Sequence, residues 1–567
     1  MEPGHDSPRP TRMRRQLITA AVIVLVAATA CSNASDGDDP SRSDIDARSY
    51  FEKYEEDQGD DGQGLVGMSS AEDGAGAVPE ATAPKTTSVD KVQPCNDCGP
   101  PERIDPPVTS GNTFHNHGTN PVITAADQPK STFALDVDDG SYRVAQRFLS
   151  DETLPPAASV RPEEWINAFD YDAPAPTDVD LALTAETAAT SQGRKQWLRV
   201  GVNARDLTDE DRDPAALTFV VDTSGSMDIR ERLGLVKSSL ALLTKSLRPD
   251  DKIAIVTYDD EARSVLEPTP VSETDTILDA IDDLKPGGGT NLAAGVELGY
   301  EYASRSAGEA GINAVVLASD GVANIGLTDP DGLADKINSA ASKKDIHLVT
   351  VGYGMGNYND DLMEQLADQG QGFYSYVSTF DDAKQLFVED LTSTLAVVAQ
   401  DAKAQVEFDP ETVESYRLVG YENRALTNRE FENDATDAGE VGAGMDVTAL
   451  YEVTPARDVR SGSVLGSATV RWRDASSGKQ VEASSEVRMP GVSAVQPDAM
   501  RLATTVAEFA ETIKNRQGTK DFDARLRTLR DAADELVERD VRGAQELSDM
   551  IDDAIEAHPT GGPYEIQ

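Results

Sequence analysis

The stretch Leu217-Thr218-Phe219-Val220-Val221-Asp222-Thr223-Ser224-Gly225-Ser226 decides the fold. Its first half is an apolar run broken only by Thr218, as expected for a strand covered on both faces. Its second half turns at once to a carboxylate, hydroxyls and a glycine. Similar apolar runs recur at Ile253–Tyr258, Ala314–Ala318 and His347–Val351. Between the first two strands, Leu233, Val236, Leu240, Leu243 and Leu247 follow helical spacing. Strands alternating with helices over 215–397 predict a doubly wound, Rossmann-like α/β unit with a mainly parallel sheet. In such sheets ligands gather where loops converge, at the carboxyl ends of the strands.

The spacing Asp222-x-Ser224-x-Ser226 puts one carboxylate and two hydroxyls in a single tight loop, with Gly225 easing the turn. An all-oxygen set suits a hard cation such as Mg²⁺. Alone, the pentapeptide describes a helix cap equally well. Two further features extend it. Gly287-Gly288-Gly289-Thr290 forms a loop between two helices and offers the Thr290 hydroxyl. A second apolar strand, Ala314-Val315-Val316-Leu317-Ala318, runs through Ser319 into Asp320, a second carboxylate.

Asp222, Ser224, Ser226, Thr290 and Asp320 together resemble the metal ion-dependent adhesion site of von Willebrand factor type A domains. That resemblance implies direct coordination by Ser224, Ser226 and, in the ligand-competent state, Thr290. Asp222 and Asp320 would act through water or hydrogen bonds. A sixth position would take an Asp or Glu carboxylate from a protein partner. Mg²⁺ is the first expectation for the ion, with Mn²⁺ and Ca²⁺ as alternatives. Thr132–Asp138, Phe169-Asp170-Tyr171, Tyr416–Arg424 and Asp437–Gly444 are similar to the flanks of a bacterial YfbK-like family.

The N-terminus carries a different message. Arg12, Arg14 and Arg15 precede an apolar stretch, Leu17–Ala30, that is short for a membrane span but fits a signal-peptide core. Ala28-Thr29-Ala30-Cys31 resembles the lipobox of bacterial lipoproteins. That resemblance implies a signal peptide over 1–30 and a lipidated Cys31 anchoring the chain to the outer face of the cell membrane. Residues 31–126 are rich in Asp, Gly, Ser, Pro and Thr and read as a flexible tether, with one short helix near Ile45–Tyr54. Cys95 and Cys98 lie in it. Without a second ligand pair their spacing reads as a local disulfide. His115-Asn116-His117 reads as a solvated loop.

The expected units are an N-terminal flanking region at 127–210, the A-type domain at 215–397, a β-rich domain, expected to be a sandwich, at 402–490 and a helical region at 497–567. Strand patterns at Ala404–Phe408, Tyr416–Tyr421, Met445–Val453, Ser467–Trp472 and Val481–Val487 support the third. Two apolar stripes, Leu502, Val506, Phe509 and Ile513, then Leu526, Leu529, Ala533 and Leu536, support the last.

The chain has 567 residues, with 51 Lys and Arg against 101 Asp and Glu, a formal net charge of -50. Such acidity argues against nucleic acid as a partner. A haloacid dehalogenase-like phosphatase would need a second Asp where Ser224 stands, and no Ser and His partners follow for a hydrolase triad. The expectation is a non-enzymatic surface lipoprotein whose metal mediates adhesion or scaffolding. A structural envelope protein with a stabilising metal is the alternative, and a hydrolase the less favoured one.

Overall fold

The computed structural model describes residues 45–54 and 111–557, apart from 191–193, 209–211, 307–310, 322–332, 334–336, 340–345, 391–395, 492–495 and positions 357, 435 and 437. Cys31, Cys95, Cys98 and the whole of the expected signal peptide lie outside the described residues.

Four strands precede the A-type unit: β1 (Ile123–Thr124), β2 (Lys130–Ala134), β3 (Leu181–Ala189) and β4 (Gln196–Ala204). The unit itself supplies β5 (Ala215–Asp222), β6 (Lys252–Tyr258), β7 (Ala262–Pro270), β8 (Ile312–Ser319), β9 (His347–Tyr353) and β10 (Tyr374–Val377). After it come β11 (Val397–Phe408), β12 (Val413–Val419), β13 (Gly439–Gly442), β14 (Asp446–Pro455), β15 (Val464–Asp474) and β16 (Gln480–Arg488).

The central sheet runs β10-β9-β8-β5-β6-β7, parallel except that β7 returns antiparallel to β6. Every residue of β5 and β8 is buried, which is why both read as nearly continuous apolar runs. Helices Leu235–Ser246 and Leu292–Ser306 cover the sheet. Close packing needs Gly299, whose added Cβ would fall 2.3 Å from Val220 Cγ2. The chain leaves β5 towards β6 on one side and later returns to β8 on the other. That reversal is the topological switch point of the sheet, where such folds bind ligands.

The flanks correct the expected division. Regions 127–210 and 402–490 do not form separate units, because both remaining sheets draw strands from each. One sheet runs β1-β12-β14-β4-β3, and β14 pairs with β4 from Asp446↔Asn203 to Val453↔Gln196. The other runs β13-β11-β15-β16, with β2 also paired to β11. The A-type unit is therefore inserted between β4 and β11 of a shared β structure. Phe408, Tyr416 and Tyr451 pack at its centre, the first two stacked at 4.2 Å.

Three C-terminal helices follow, Asp498–Lys514, Phe522–Val537 and Ala544–Glu556, one more than the two stripes predicted. The first packs on the helix Pro162–Asn167, with Trp165 edge-on to Phe509 at 5.3 Å, and the third packs on the helix Gly140–Ser150.

The tether carries the short helix expected near Ile45–Tyr54, and two of its segments pack against the A-type unit. The helix Arg48–Glu52 lies against the helix that follows the Asp222 loop. Tyr54 donates from its hydroxyl to Asp228, and Arg230 stacks over Phe51. Tyr50, Phe51 and Tyr54 supply apolar area that the surrounding Asp- and Gly-rich sequence lacks. Further on, the Asn112 side chain accepts from the backbone amides of Gly356 and Tyr358, both at 2.9 Å. Among the described residues no helix is long and apolar enough to cross a membrane.

Candidate metal centre

The parallel register sets Val221 beside Ala318 and Asp222 beside Tyr258. The loops after β5 and β8 therefore start side by side. Asp222 is fully buried. Its Oδ1 accepts from the Ser224 amide at 2.9 Å, which curls the loop back on itself. Its Oδ2 accepts from the Ser319 hydroxyl at 2.8 Å and the Tyr258 hydroxyl at 3.3 Å. The Ser224 and Ser226 hydroxyls lie 3.0 Å apart.

The loop bearing Thr290 is tied to the same turn by backbone. Gly287 donates to the Thr223 carbonyl at 2.7 Å, and Gly225 donates to the Gly288 carbonyl at 3.2 Å. Gly288 has φ +77, and an added Cβ would press on Asp259 and Asp260 at 3.0 Å, so the left-handed turn favours glycine there. Asp260 in turn accepts from the Gly289 amide. Thr290 itself is buried.

Asp320, also buried, completes the group. Arg232 donates through one nitrogen to Asp320 Oδ2 at 2.7 Å and to the Ser226 carbonyl at 2.9 Å. A single guanidinium thus bridges the β5 loop and the β8 loop. Asp222, Ser224, Ser226 and Asp320 are thus brought together by these bonds, and the loop that bears Thr290 is tied to the same turn. Arg232 was missed because it reads as one of several surface charges after the loop. Its signal was position: it lies three and four residues before Leu235 and Val236, on the face that the helical pattern buries.

The electrostatics suit a cation. Burial, reinforced by the charge of Asp320, pushes the Asp222 carboxyl up to about 7. A divalent ion beside it would reverse that penalty. The candidate donors are two neutral hydroxyls, a third from Thr290 and two carboxylates, all oxygen, which fits a hard ion, and the Arg232 charge paired with Asp320 would leave a divalent ion incompletely neutralised. By contrast, His115 and His117 lie edge-on at 4.8 Å on a loop. Among the described residues no group of three or more His, Cys, Asp or Glu could hold a metal, so those two histidines gain no further ligand of that kind.

Comparison with known proteins agrees with this architecture. Residues 216–389 match the family model of the von Willebrand factor type A domain, and residues 393–556 match that of "Uncharacterized protein YfbK, C-terminal". A model described as von Willebrand factor matches residues 108–198. The chain is 41% identical over 344 residues to uncharacterized protein YfbK of Escherichia coli, covering 59% of this chain and 60% of that protein. It is 28% identical over 311 residues to an uncharacterized protein of Synechocystis, covering 53% and 72% respectively. A solved von Willebrand factor type A structure from Catenulispora acidiphila aligns with TM-score 0.42 and 18% identity, over 67% of this chain and 91% of that one. The central unit has the α/β fold of a von Willebrand factor type A domain, the C-terminal part matches the YfbK model, and the chain spans about 60% of the length of that relative.

Proposed function

We propose that this chain is an exported lipoprotein, anchored through Cys31, whose A domain grips a protein partner through a divalent ion. Ser224, Ser226 and Thr290 would hold the ion, with Asp222 and Asp320 behind them. When bound, the ion supplies a Lewis-acidic position for an Asp or Glu side chain of the partner. Mg²⁺ is the expected ion, with Mn²⁺ or Ca²⁺ able to occupy the same oxygens. The role is adhesion or scaffolding, not catalysis.

The observation that carries this reading is the meeting of the Asp222, Ser224 and Ser226 loop with Asp320, and with the loop bearing Thr290, at the switch point of the sheet. Each protein group has a task that does not involve turnover. The Ser224 amide and the Ser319 and Tyr258 hydroxyls orient Asp222. The glycine-rich loop ties the segment bearing the buried Thr290 to the same turn.

One observation bears on the alternative of a purely structural metal. The three loops are already joined by backbone hydrogen bonds and by Arg232. These bonds supply cohesion of their own, which supports the reading in which the ion serves a ligand.

The test is a pull-down from the organism's own envelope with the purified chain in Mg²⁺, repeated with EDTA and with Asp222→Ala. The reading expects a specific partner that is lost under both conditions. Capture that survives both would overturn it, and a concurrent fall in thermal stability would favour the structural alternative.

A further inference from the structure

Arg232 is a buried cation placed within the candidate centre. It sits on a π-helical turn, Arg230–Gly234, inserted before the helix Leu235–Ser246. Such turns displace a side chain from the ordinary helical face and recur at functional sites. Here the turn carries the guanidinium across to Asp320, 88 residues later.

The surroundings are shaped to receive it. Gly354 has φ +73, and an added Cβ there would fall 2.4 Å from Arg232 Nε. The next carbonyl, Met355, accepts from Nη2. That segment is pinned by Asn112, which receives the Gly356 and Tyr358 amides. The guanidinium is therefore held by Asp320 and by two backbone carbonyls from different loops. Its position is fixed by the fold, and its planar fork suits such a cage better than a lysine would.

The charges then follow. Asp222 and Asp320 alone would offer two negative charges to a cation. Arg232 spends its positive charge on Asp320, so the centre presents about one net negative charge to an incoming ion. In a buried, low-dielectric setting that difference is large. With a divalent ion bound, the same count leaves a net positive centre facing the partner.

We propose that Arg232 is a positioning residue that sets the affinities of this centre: it loosens the grip on the ion alone and strengthens the demand for an anionic partner group. This rests on the metal reading above. Removing the guanidinium frees Asp320 to face the ion. The bare-metal affinity then rises while carboxylate capture weakens.

The experiment is a Mn²⁺ titration of the purified full chain, read by calorimetry and by loss of the free-ion electron paramagnetic resonance signal. Wild type, Asp222→Ala, Arg232→Gln and Arg232→Lys are compared, with circular dichroism to confirm folding. Arg232→Gln is expected to bind Mn²⁺ roughly ten-fold tighter than wild type, and Arg232→Lys, which keeps the charge, to stay within about three-fold. A folded Arg232→Gln that binds Mn²⁺ no tighter than wild type overturns the proposal. Should Arg232→Gln fail to fold, the neutral pair Arg232→Gln/Asp320→Asn decides, since it keeps the net charge of the centre: Mn²⁺ affinity within about three-fold of wild type supports the proposal, and any larger change overturns it. If wild type takes up no Mn²⁺, or Asp222→Ala takes up as much, the metal reading itself fails and this inference falls with it.

Discussion

The Ser319 hydroxyl donates to Asp222 Oδ2 at 2.8 Å, joining the ends of two neighbouring parallel strands. The contact fixes which way the carboxylate faces. Ser319→Ala leaves that oxygen with the longer Tyr258 bond. The expected result is a Mn²⁺ affinity lower by roughly ten-fold, with folding stability reduced by only about 1 kcal/mol. Calorimetric titration and urea unfolding on the same variant check the two numbers separately.

Arg161 holds the A domain to its flanks. It is buried between Glu164 of the helix it precedes and Asp360 and Glu364 of the A domain. Arg161→Met strands those carboxylates without their cation. A loss of about 3–5 kcal/mol is expected. A double-mutant cycle with Asp360→Asn in urea unfolding should show coupling well above additivity.

The same joint makes stability depend on pH. Burial, with Glu422 and Asp136 nearby and Lys514 opposing them, pushes Glu163 up to about 7. Glu364 rises to about 7, mainly by burial, against the pull of Arg161 and Arg424, while Asp360 and Asp368 add to the rise. Both native pKa values lie above the ordinary 4.5. The native state therefore binds more protons than the unfolded one across that window, and stability falls as pH rises from about 4.5 to about 7. Glu163→Gln is expected to flatten the slope of Tm between pH 5 and 8 and to raise Tm relative to wild type at pH 8. An unchanged slope in scanning calorimetry would refute it.

Packing of the helix Leu292–Ser306 on β5 is tight at one point. Gly299→Ala sets a methyl against Val220 Cγ2 and should cost about 1–3 kcal/mol. Combining it with Val220→Ala should cost less than the sum of the two single changes, measured by thermal unfolding.

Much of the centre was legible because its signals are local. Val220 and Leu317 sit in apolar runs, and the residues that leave those runs are the ones that converge. What lay hidden was long-range or atypical. Pro268 and Pro270 disguise β7, since proline argues against a strand unless it lies at an edge, as it does here. The β3 sequence Leu-Ala-Leu-Thr-Ala-Glu-Thr-Ala-Ala has few bulky residues to mark it. Leu547, Met550, Ile551 and Ala554 do carry helical spacing, so the third C-terminal helix was readable and was missed. The insertion of the A domain could not be read locally. It rests on β4 pairing with β14, more than two hundred residues away along the chain.

The central claim is that Asp222, Ser224, Ser226, Thr290 and Asp320 form one divalent-ion site. Its most direct test is a Mn²⁺ titration of the wild-type chain beside Ser226→Ala, whose hydroxyl lies 3.0 Å from that of Ser224. Binding of one ion per chain, competed by Mg²⁺ and weakened at least ten-fold in the folded variant, is the predicted result. No saturable binding, or equal binding by the variant, would contradict the account.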